Sequence, residues 1–302
     1  MKQMTRSQII ISLTITLLLV LSGSVMAQEA TIEAAPATEP LPAAHMLTGF
    51  TYEPQMRNNC GPATLTMAMT YFGYGDNQVR AANWLKPNNE DKNVSPWQML
   101  EFVNTQVPEI SVYALQRYGG TIETIKTLLY NGFPVVIEAG YDPASANQGW
   151  MGHYLLIVGY DDASELVVTY DSYDGQGMRY NYLHVEDYWQ HFNYTYIVLY
   201  SLERQAELLE LLGDNGDEYT NLINTLQLAQ AEATVDQADA HAWFNLGSTL
   251  ALIADKLEDA TYHQQAAIAY DNARNLGLPW RMTWYQFGIY EAYLAAGRYQ
   301  DV

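Results

Sequence analysis

One cysteine, Cys60, stands in the segment 54–74, which reads PQMRNNCGPATLTMAMTYFGY. It precedes Gly61 and Pro62 at the predicted start of an apolar helix, where a proline is well suited to the first turn. A thiol at the N-terminal end of a helix meets the positive end of the helix dipole and free N–H groups, which lower its pKa. Because a lone cysteine is more often a small buried apolar residue, other groups must decide whether this thiol is reactive.

A nucleophilic thiol requires a base and a group that orients the base. His153 follows a loop with two glycines and begins a predicted strand, so it is the candidate base. Asp171 lies on the next predicted strand, where its carboxylate can hold the second ring nitrogen and support an imidazolium. The sequence therefore predicts a triad of Cys60, His153 and Asp171.

An oxyanion formed at such a site requires N–H donors. Gln55, five positions before Cys60, can direct its side-chain amide to the same point as the backbone N–H of Cys60. Asn58 and Asn59 are rival donors, although side chains so close to the thiol in sequence point less freely into a cleft. Gln55 is the predicted oxyanion donor.

Three helices are expected in the first half of the chain. After Cys60 the apolar positions 65, 68, 69 and 72 have the spacing of one buried helix face. Ser95 followed by Pro96 indicates a second helix start. Thr121 indicates a third, which is predicted to end at the Asn-Gly pair 131–132.

Strand-like segments follow these helices. They are the β-branched and aromatic runs 134–141, 153–160, 165–173 and 196–200. The polar turn 161–164 separates the second and third runs and predicts an antiparallel hairpin. Helices followed by a mostly antiparallel sheet predict an α+β domain over Leu47–Leu202, called here the α+β region.

The N-terminal end has the pattern of an export signal. Two basic residues precede an apolar run over 9–21, and small residues lead to Ala27. This pattern predicts a signal peptide over 1–27, cleaved after Ala27, which would place the mature chain outside the cytoplasm. An uncleaved membrane anchor is the alternative. The Ala-, Pro- and Glu-rich residues 28–46 are predicted to form a disordered linker.

From Glu203 to Val302, called here the helical region, the sequence predicts helices. Two segments in it share an aromatic residue followed by an apolar-glycine pair: Trp243, Leu246 and Gly247 in the first, and Trp284, Phe287 and Gly288 in the second. The pattern resembles the tetratricopeptide repeat, with an interval longer than usual. A degenerate repeat region that binds a protein partner is therefore expected, with an ordinary helical bundle as the alternative.

The motifs QMRNNCGPATL, GHYLLIVGYDD and VVTYDSYDG together resemble the bacteriocin-processing-peptidase-like cysteine peptidases, the thirty-ninth family of cysteine peptidases. The resemblance covers the α+β region and implies a papain-like fold. It also implies hydrolysis of peptide bonds, with Cys60 as nucleophile, His153 as base, Asp171 as orienting residue and Gln55 as oxyanion donor. A peptide or protein is the implied substrate, and neither a metal nor an organic cofactor is implied.

Other functions have less support. With a net charge of −20 the chain is a poor match for nucleic acid, and no phosphate-binding GxxxxGK[ST] motif occurs. Residues 174–175 are expected to be a turn rather than a calcium loop, and His184 and His191 are expected to lie on a solvated helix face rather than bind a metal. The alternative to a peptidase is a non-catalytic papain-like module that recruits protein partners through the helical repeats.

Overall fold

Seven antiparallel strands form one sheet within the part of the chain that the computed structural model describes, residues 40–88, 90, 93–142 and 149–302. The strands are β1 (Ala44–Met46), β2 (Val112–Arg117), β3 (Val135–Tyr141), β4 (Met151–Asp161), β5 (Leu166–Asp171), β6 (Gly175–Asn181) and β7 (Tyr196–Ser201). The order across the sheet is β2-β7-β3-β4-β5-β6, and β1 pairs with the last residues of β4. The predicted hairpin of β4 and β5 is confirmed.

Helices cover both faces of this sheet. One face packs against α1 (Cys60–Thr70), α2 (Gln78–Leu85) and α3 (Pro96–Gln106), and the other packs against α4 (Ile122–Tyr130), α5 (Tyr182–Gln190) and α6 (Gln205–Leu212). Strand β4 shows why both faces are buried. Its Leu156 and Val158 enter the first core, whereas Leu155 and Ile157 enter the second. Because side chains alternate across a strand, an uninterrupted apolar strand requires a cover on each side.

The predicted helix starts are confirmed. Ser95 and Gln98 form a reciprocal capping box at the start of α3, a pairing that satisfies two orphan backbone donors. The Thr121 side chain accepts a hydrogen bond from the Thr124 backbone N–H at the start of α4. The α+β class with a papain-like arrangement of helices and antiparallel sheet is likewise confirmed.

Besides α6, which packs on the sheet, the helical region contains four helices: α7 (Glu218–Val235), α8 (Ala240–Leu257), α9 (Ala260–Leu276) and α10 (Gly288–Ala295). Their core contains Phe244, Tyr270 and Tyr293 together with Trp150 and Phe192 of the α+β region. A core shared in this way makes Leu41–Val302 one compact unit. The helices pack on the α+β region rather than extending from it as a separate arm.

The two repeat-like segments differ locally. Trp243 and Gly247 lie inside α8, whereas Trp284 lies in a short 3₁₀ turn and Gly288 begins α10. Both glycines nevertheless face Tyr270, because a Cβ at either position would lie 2.8 Å from an atom of that side chain. Tight packing on one tyrosine explains the shared apolar-glycine pair, and the repeat assignment itself stays a prediction.

Two expectations about the N-terminal end and the histidines are modified. The predicted signal peptide and most of the predicted linker lie outside the described residues. The last linker residues, Ala44–Met46, form β1 instead of being disordered, because the end of β4 extends beyond β3 and offers them a free edge. His191 is partly buried instead of solvated, because α8 covers it and its ring stacks on that of His241 at 3.7 Å. In the described ranges, none of the helices has the length and apolar character needed to cross a membrane.

Candidate active site

Cys60 is the first residue of α1, as the sequence predicts. The helix start is packed against β4, since the Thr64 hydroxyl donates to the backbone carbonyl of Tyr154 at 3.1 Å. Gly61 allows this approach, because a Cβ there would lie 3.5 Å from the Tyr154 ring and 3.3 Å from the Val94 Cβ. The thiol is partly exposed and remains free of any disulfide. Cys60 therefore lies at a helix N-terminus that is packed against the sheet.

His153 and Asp171 form a buried pair on neighbouring strands. The register that places Leu156 opposite Tyr170 puts the two residues at diagonal positions on one face of the sheet. His153 Nε2 lies 2.8 Å from Asp171 Oδ1, and the two side chains are 5% and 0% exposed. A buried carboxylate at this distance fixes the orientation of the imidazole.

Three further groups surround the Asp171 carboxylate. The backbone N–H groups of Tyr173 and Asp174 donate to Oδ1 at 2.8 and 3.1 Å, and the Tyr180 hydroxyl donates to Oδ2 at 2.8 Å. Burial alone would raise the pKa of Asp171, but His153 and these N–H groups lower it to about 2. The aspartate is thus ionised at neutral pH and fully hydrogen-bonded.

The thiol and the imidazole lie close enough for each to shift the pKa of the other. Burial opposes ionisation of Cys60, but His153 and the backbone N–H groups of Tyr154 and Gly61 outweigh it, so the pKa of the thiol lies below its ordinary value. Burial also opposes protonation of His153, yet Asp171 and the thiolate raise its pKa to about 10. The structure therefore brings Cys60, His153 and Asp171 together and favours a thiolate–imidazolium pair.

A family model described as the Peptidase_C39-like family matches residues 47–197, which is half of the chain. The chain belongs to this family. Membership supports a peptidase-type function, in agreement with the α+β fold and the arrangement of the three side chains.

Solved structures of C39-like peptidases show similarity at low identity. A C39-like peptidase from Bacillus anthracis shares 18% identity, with 52% of this chain and 98% of that chain covered and a TM-score of 0.42. The peptidase domain of Streptococcus ComA, a bifunctional ABC transporter of a quorum sensing pathway, shares 14% identity, with 50% and 98% covered and a TM-score of 0.38. A double-glycine-motif protease from an AMS/PCAT transporter, in complex with a leader peptide, shares 18%, with 50% and 89% covered and a TM-score of 0.33. Among curated proteins, no sequence matches the chain.

Gln55 is anchored beside the strand that carries Asp171 in this C39-like domain. Its backbone N–H donates to the Ser172 carbonyl at 2.8 Å, and its side-chain carbonyl accepts from the Ser172 hydroxyl at 3.0 Å. Ser172 thus holds the oxygen end of the amide, and the N–H end is turned away from it. This places Gln55 next to the triad, while its role as oxyanion donor stays a prediction.

The rival donor Asn59 is occupied elsewhere. It is 6% exposed, and its side-chain N–H donates to the Gln78 carbonyl at 3.1 Å. Asn58 adopts a left-handed backbone conformation with a φ of 57°. Its backbone carbonyl accepts from the ammonium of Lys86. Of the three side-chain amides, that of Gln55 is therefore the best placed to donate to an oxyanion.

Gln78, at the start of α2, is a residue that sequence reasoning missed. It is 1% exposed, and its amide N–H₂ donates to a Glu53 carboxylate oxygen at 2.9 Å and to the Pro54 carbonyl at 2.8 Å. Its carbonyl accepts from the Met56 backbone N–H at 2.7 Å and from the Asn59 side chain. Gln78 thereby fixes the loop 53–59 that carries Gln55 and leads into Cys60.

Glu138 and Tyr154 form a second unpredicted feature. They lie opposite each other on β3 and β4, and both are buried. The Tyr154 hydroxyl also donates to the Val94 carbonyl at 2.7 Å. Glu138 is 4% exposed, and burial raises its pKa well above the usual range, with the nearby Cys60 charge adding to the effect. The Glu138 carboxyl group therefore lies close to the thiol, in surroundings that disfavour its ionised form.

The helical region also reaches the site. Tyr285 packs on Gly152, where a Cβ would lie 2.7 Å from the Tyr285 ring, and its ring stands edge-on to that of Trp150 at 5.7 Å. Burial raises the pKa of Tyr285 to about 12, and the Cys60 charge contributes to the shift. The residue that precedes His153 is thus covered by a side chain from the helical region.

Proposed function

We propose that the protein is an exported cysteine peptidase that hydrolyses peptide bonds through Cys60, His153 and Asp171. The observation that carries the proposal is the arrangement of the three side chains: the His153 ring lies 2.8 Å from the buried Asp171 carboxylate and close enough to Cys60 to lower the pKa of the thiol. Membership of the Peptidase_C39-like family supports it. Export is proposed from the signal-like pattern of residues 1–27.

The thiolate of Cys60 attacks the scissile carbonyl carbon, and the carbonyl electrons move onto its oxygen. The backbone N–H of Cys60 and the Gln55 amide donate hydrogen bonds to this oxyanion. The imidazolium of His153 then gives its proton to the leaving amine, and a thioester remains on Cys60. A water molecule, deprotonated by His153, attacks the thioester and releases the second product and the thiolate.

Asp171 has a positioning role in this scheme. Its Oδ1 holds the Nε2–H of His153, so the ring presents its other nitrogen to the sulfur. The negative charge of Asp171 stabilises the imidazolium in the resting enzyme. The same charge keeps His153 in the ionised form that protonates the amine.

A degenerate peptide library tests the proposal. The wild-type protein should cleave a subset of blocked decapeptides, as read by mass spectrometry, and Cys60→Ala should cleave none of them. Asp171→Asn should reduce turnover, whereas Asp187→Asn, the same change at an exposed position on α5, should leave it unaltered. All three variants should be compared in thermal unfolding, because a folded Cys60→Ala protein that still cleaves would exclude Cys60 as the nucleophile.

A further inference from the structure

Two adjoining cavities lie between the α+β region and the helical region. The inner cavity has a volume of about 300 Å³ and the outer one about 560 Å³. Residues that line both are Trp97, Gln116 and Tyr118 from the α+β region and Leu252 and Asp255 from α8. The two cavities therefore form one continuous channel, called here the interdomain groove.

The inner cavity adjoins the candidate active site. Tyr285 and Glu138 both line it. Burial is the main cause of their raised pKa values, and the negative charge of the nearby Cys60 thiolate raises these values further. Tyr285 also covers Gly152, the residue next to His153. The inner cavity therefore lies beside the strand residues that lead into His153.

The charges along the groove are uneven. Two carboxylates, Asp255 and Glu291, line the inner cavity together with the Glu138 side chain, whose ionisation is opposed by burial, and no Lys or Arg is among the described residues that line it. The outer cavity is lined by charges of both signs, namely Arg117 and Lys256 together with Glu218 and Asp255, and Lys256 pairs with Glu218. The inner end of the groove therefore has an uncompensated acidic lining, although the Asp255 carboxylate also lies 3.1 Å from a ring nitrogen of His263.

Aromatic side chains stand beside these carboxylates. Trp97 is 61% exposed and Phe287 is 49% exposed, and both line the inner cavity. Aromatic faces attract cations and also cover the aliphatic stems of lysine and arginine side chains. The lining thus matches a long cationic side chain in both its apolar and its charged parts.

We propose that the interdomain groove binds the peptide substrate and that its inner cavity takes a Lys or Arg side chain within a few residues of the scissile bond. The helical region is then one wall of the substrate site, with Asp255, Tyr285 and Glu291 as specificity-determining residues. This inference rests on the proposed peptidase function and adds a substrate class to it.

Pools of blocked random decapeptides with one fixed position test the preference. The fixed residue is Lys in one set and Gln, norleucine or Glu in matched sets, and kcat/KM is measured for each pool. The wild-type protein should prefer the Lys set. In Asp255→Asn combined with Glu291→Gln, the ratio of Lys to Gln cleavage should fall about three- to tenfold, the size expected for two partly screened charge contacts.

A control pair removes two exposed carboxylates outside the groove, Glu210→Gln combined with Asp214→Asn, and should retain the wild-type ratio. Equal cleavage of all four sets by the wild-type protein would overturn the basic-residue proposal and leave the peptidase function standing. An unchanged ratio of Lys to Gln cleavage in the variant with Asp255→Asn and Glu291→Gln would likewise overturn the basic-residue proposal and leave the peptidase function standing.

Binding of the same pools to the Cys60→Ala protein separates the two proposals. Trp97 lies in the groove, so tryptophan fluorescence should change with the Lys pool more than with the Gln pool, and the substitutions at Asp255 and Glu291 should remove that difference. Charge-selective binding in a protein whose wild-type form cleaves nothing would refute the peptidase function while supporting the groove. Equal binding of the Lys and Gln pools would overturn the groove's selectivity.

Discussion

Replacement of Gln78 by leucine tests how the loop ahead of the nucleophile is held. Leucine is similar in size to glutamine and fills the same space, but it removes four hydrogen bonds, those to Glu53, Pro54, Met56 and Asn59. None of these residues is part of the triad. The variant therefore perturbs the position of the loop without altering the reacting groups.

The size of the effect follows from the four partners. A buried donor or acceptor left without a partner costs about 1–3 kcal/mol. The Pro54 carbonyl and the Met56 N–H belong to exposed residues and can bind water instead. The Asn59 side chain is 6% exposed, so its amide cannot easily do so. We expect a loss of about 2–4 kcal/mol in the free energy of unfolding, which is a fall in Tm of roughly 4–16 °C for a domain of this size.

Activity should fall as well. A displacement of about 1 Å at a catalytic group costs on the order of 100-fold in rate, and Gln55 and Cys60 lie at the two ends of the freed loop. We expect kcat to fall at least about tenfold, with a smaller change in KM, in a peptide cleavage assay. Alkylation of the thiol by iodoacetamide at pH 6 gives a second readout that does not depend on substrate binding.

Gln265→Leu is the matched control, since Gln265 is exposed on α9 and distant from the loop. It should unfold and react as the wild-type protein does. If the Gln78 variant kept its Tm within about 2 °C and its kcat within twofold, the argument that these hydrogen bonds position the loop would be refuted.

Three other measurements test separate parts of the structure. The pKa of Cys60 is lowered in spite of burial, so the native protein should react with iodoacetamide at pH 6 much faster than the urea-unfolded chain, and equal rates would contradict the ion pair. Burial and the neighbouring His241 lower the pKa of His191 to about 3. The unfolded chain takes up a proton on this residue near pH 6.5, whereas the folded protein does not. The contribution of His191 to the free energy of unfolding should therefore decrease by about 2 kcal/mol from pH 7 to pH 5 in urea titrations. A His191→Phe variant should lack that contribution, and an unaltered pH dependence would show that another group is responsible. Gly152→Ala would place a Cβ 2.7 Å from the Tyr285 ring and should cost about 1–3 kcal/mol, with partial recovery when Tyr285→Ala is added; additive effects of the two changes would mean that the contact is absent.

The triad could be predicted because each member carries a local signal. Cys60 precedes a glycine and a proline at the start of an apolar helix, and His153 and Asp171 lie on strands joined by a short polar turn. A hairpin places such strands side by side whatever the rest of the fold does. The proximity of the histidine and the aspartate thus followed from short-range chemistry.

Other parts of the site depend on long-range packing and carry no such signal. Gln78 is one glutamine in an amphipathic helix, and its buried position depends on how α2 meets the loop. Strand β6, with the sequence GQGMRYN, is polar and rich in glycine, so its composition predicts a turn rather than a strand. Its Tyr180 is nevertheless a partner of Asp171.

The contact between Tyr285 and Gly152 has a consequence for the order in which the protein is completed. A ribosome makes the chain from its N-terminus, and early parts fold before later ones emerge. All three reacting side chains are present once residue 171 has been made, but the wall that Tyr285 contributes is synthesised more than a hundred residues later. Under the proposed function, the substrate preference of the interdomain groove is therefore set only when the last helices dock.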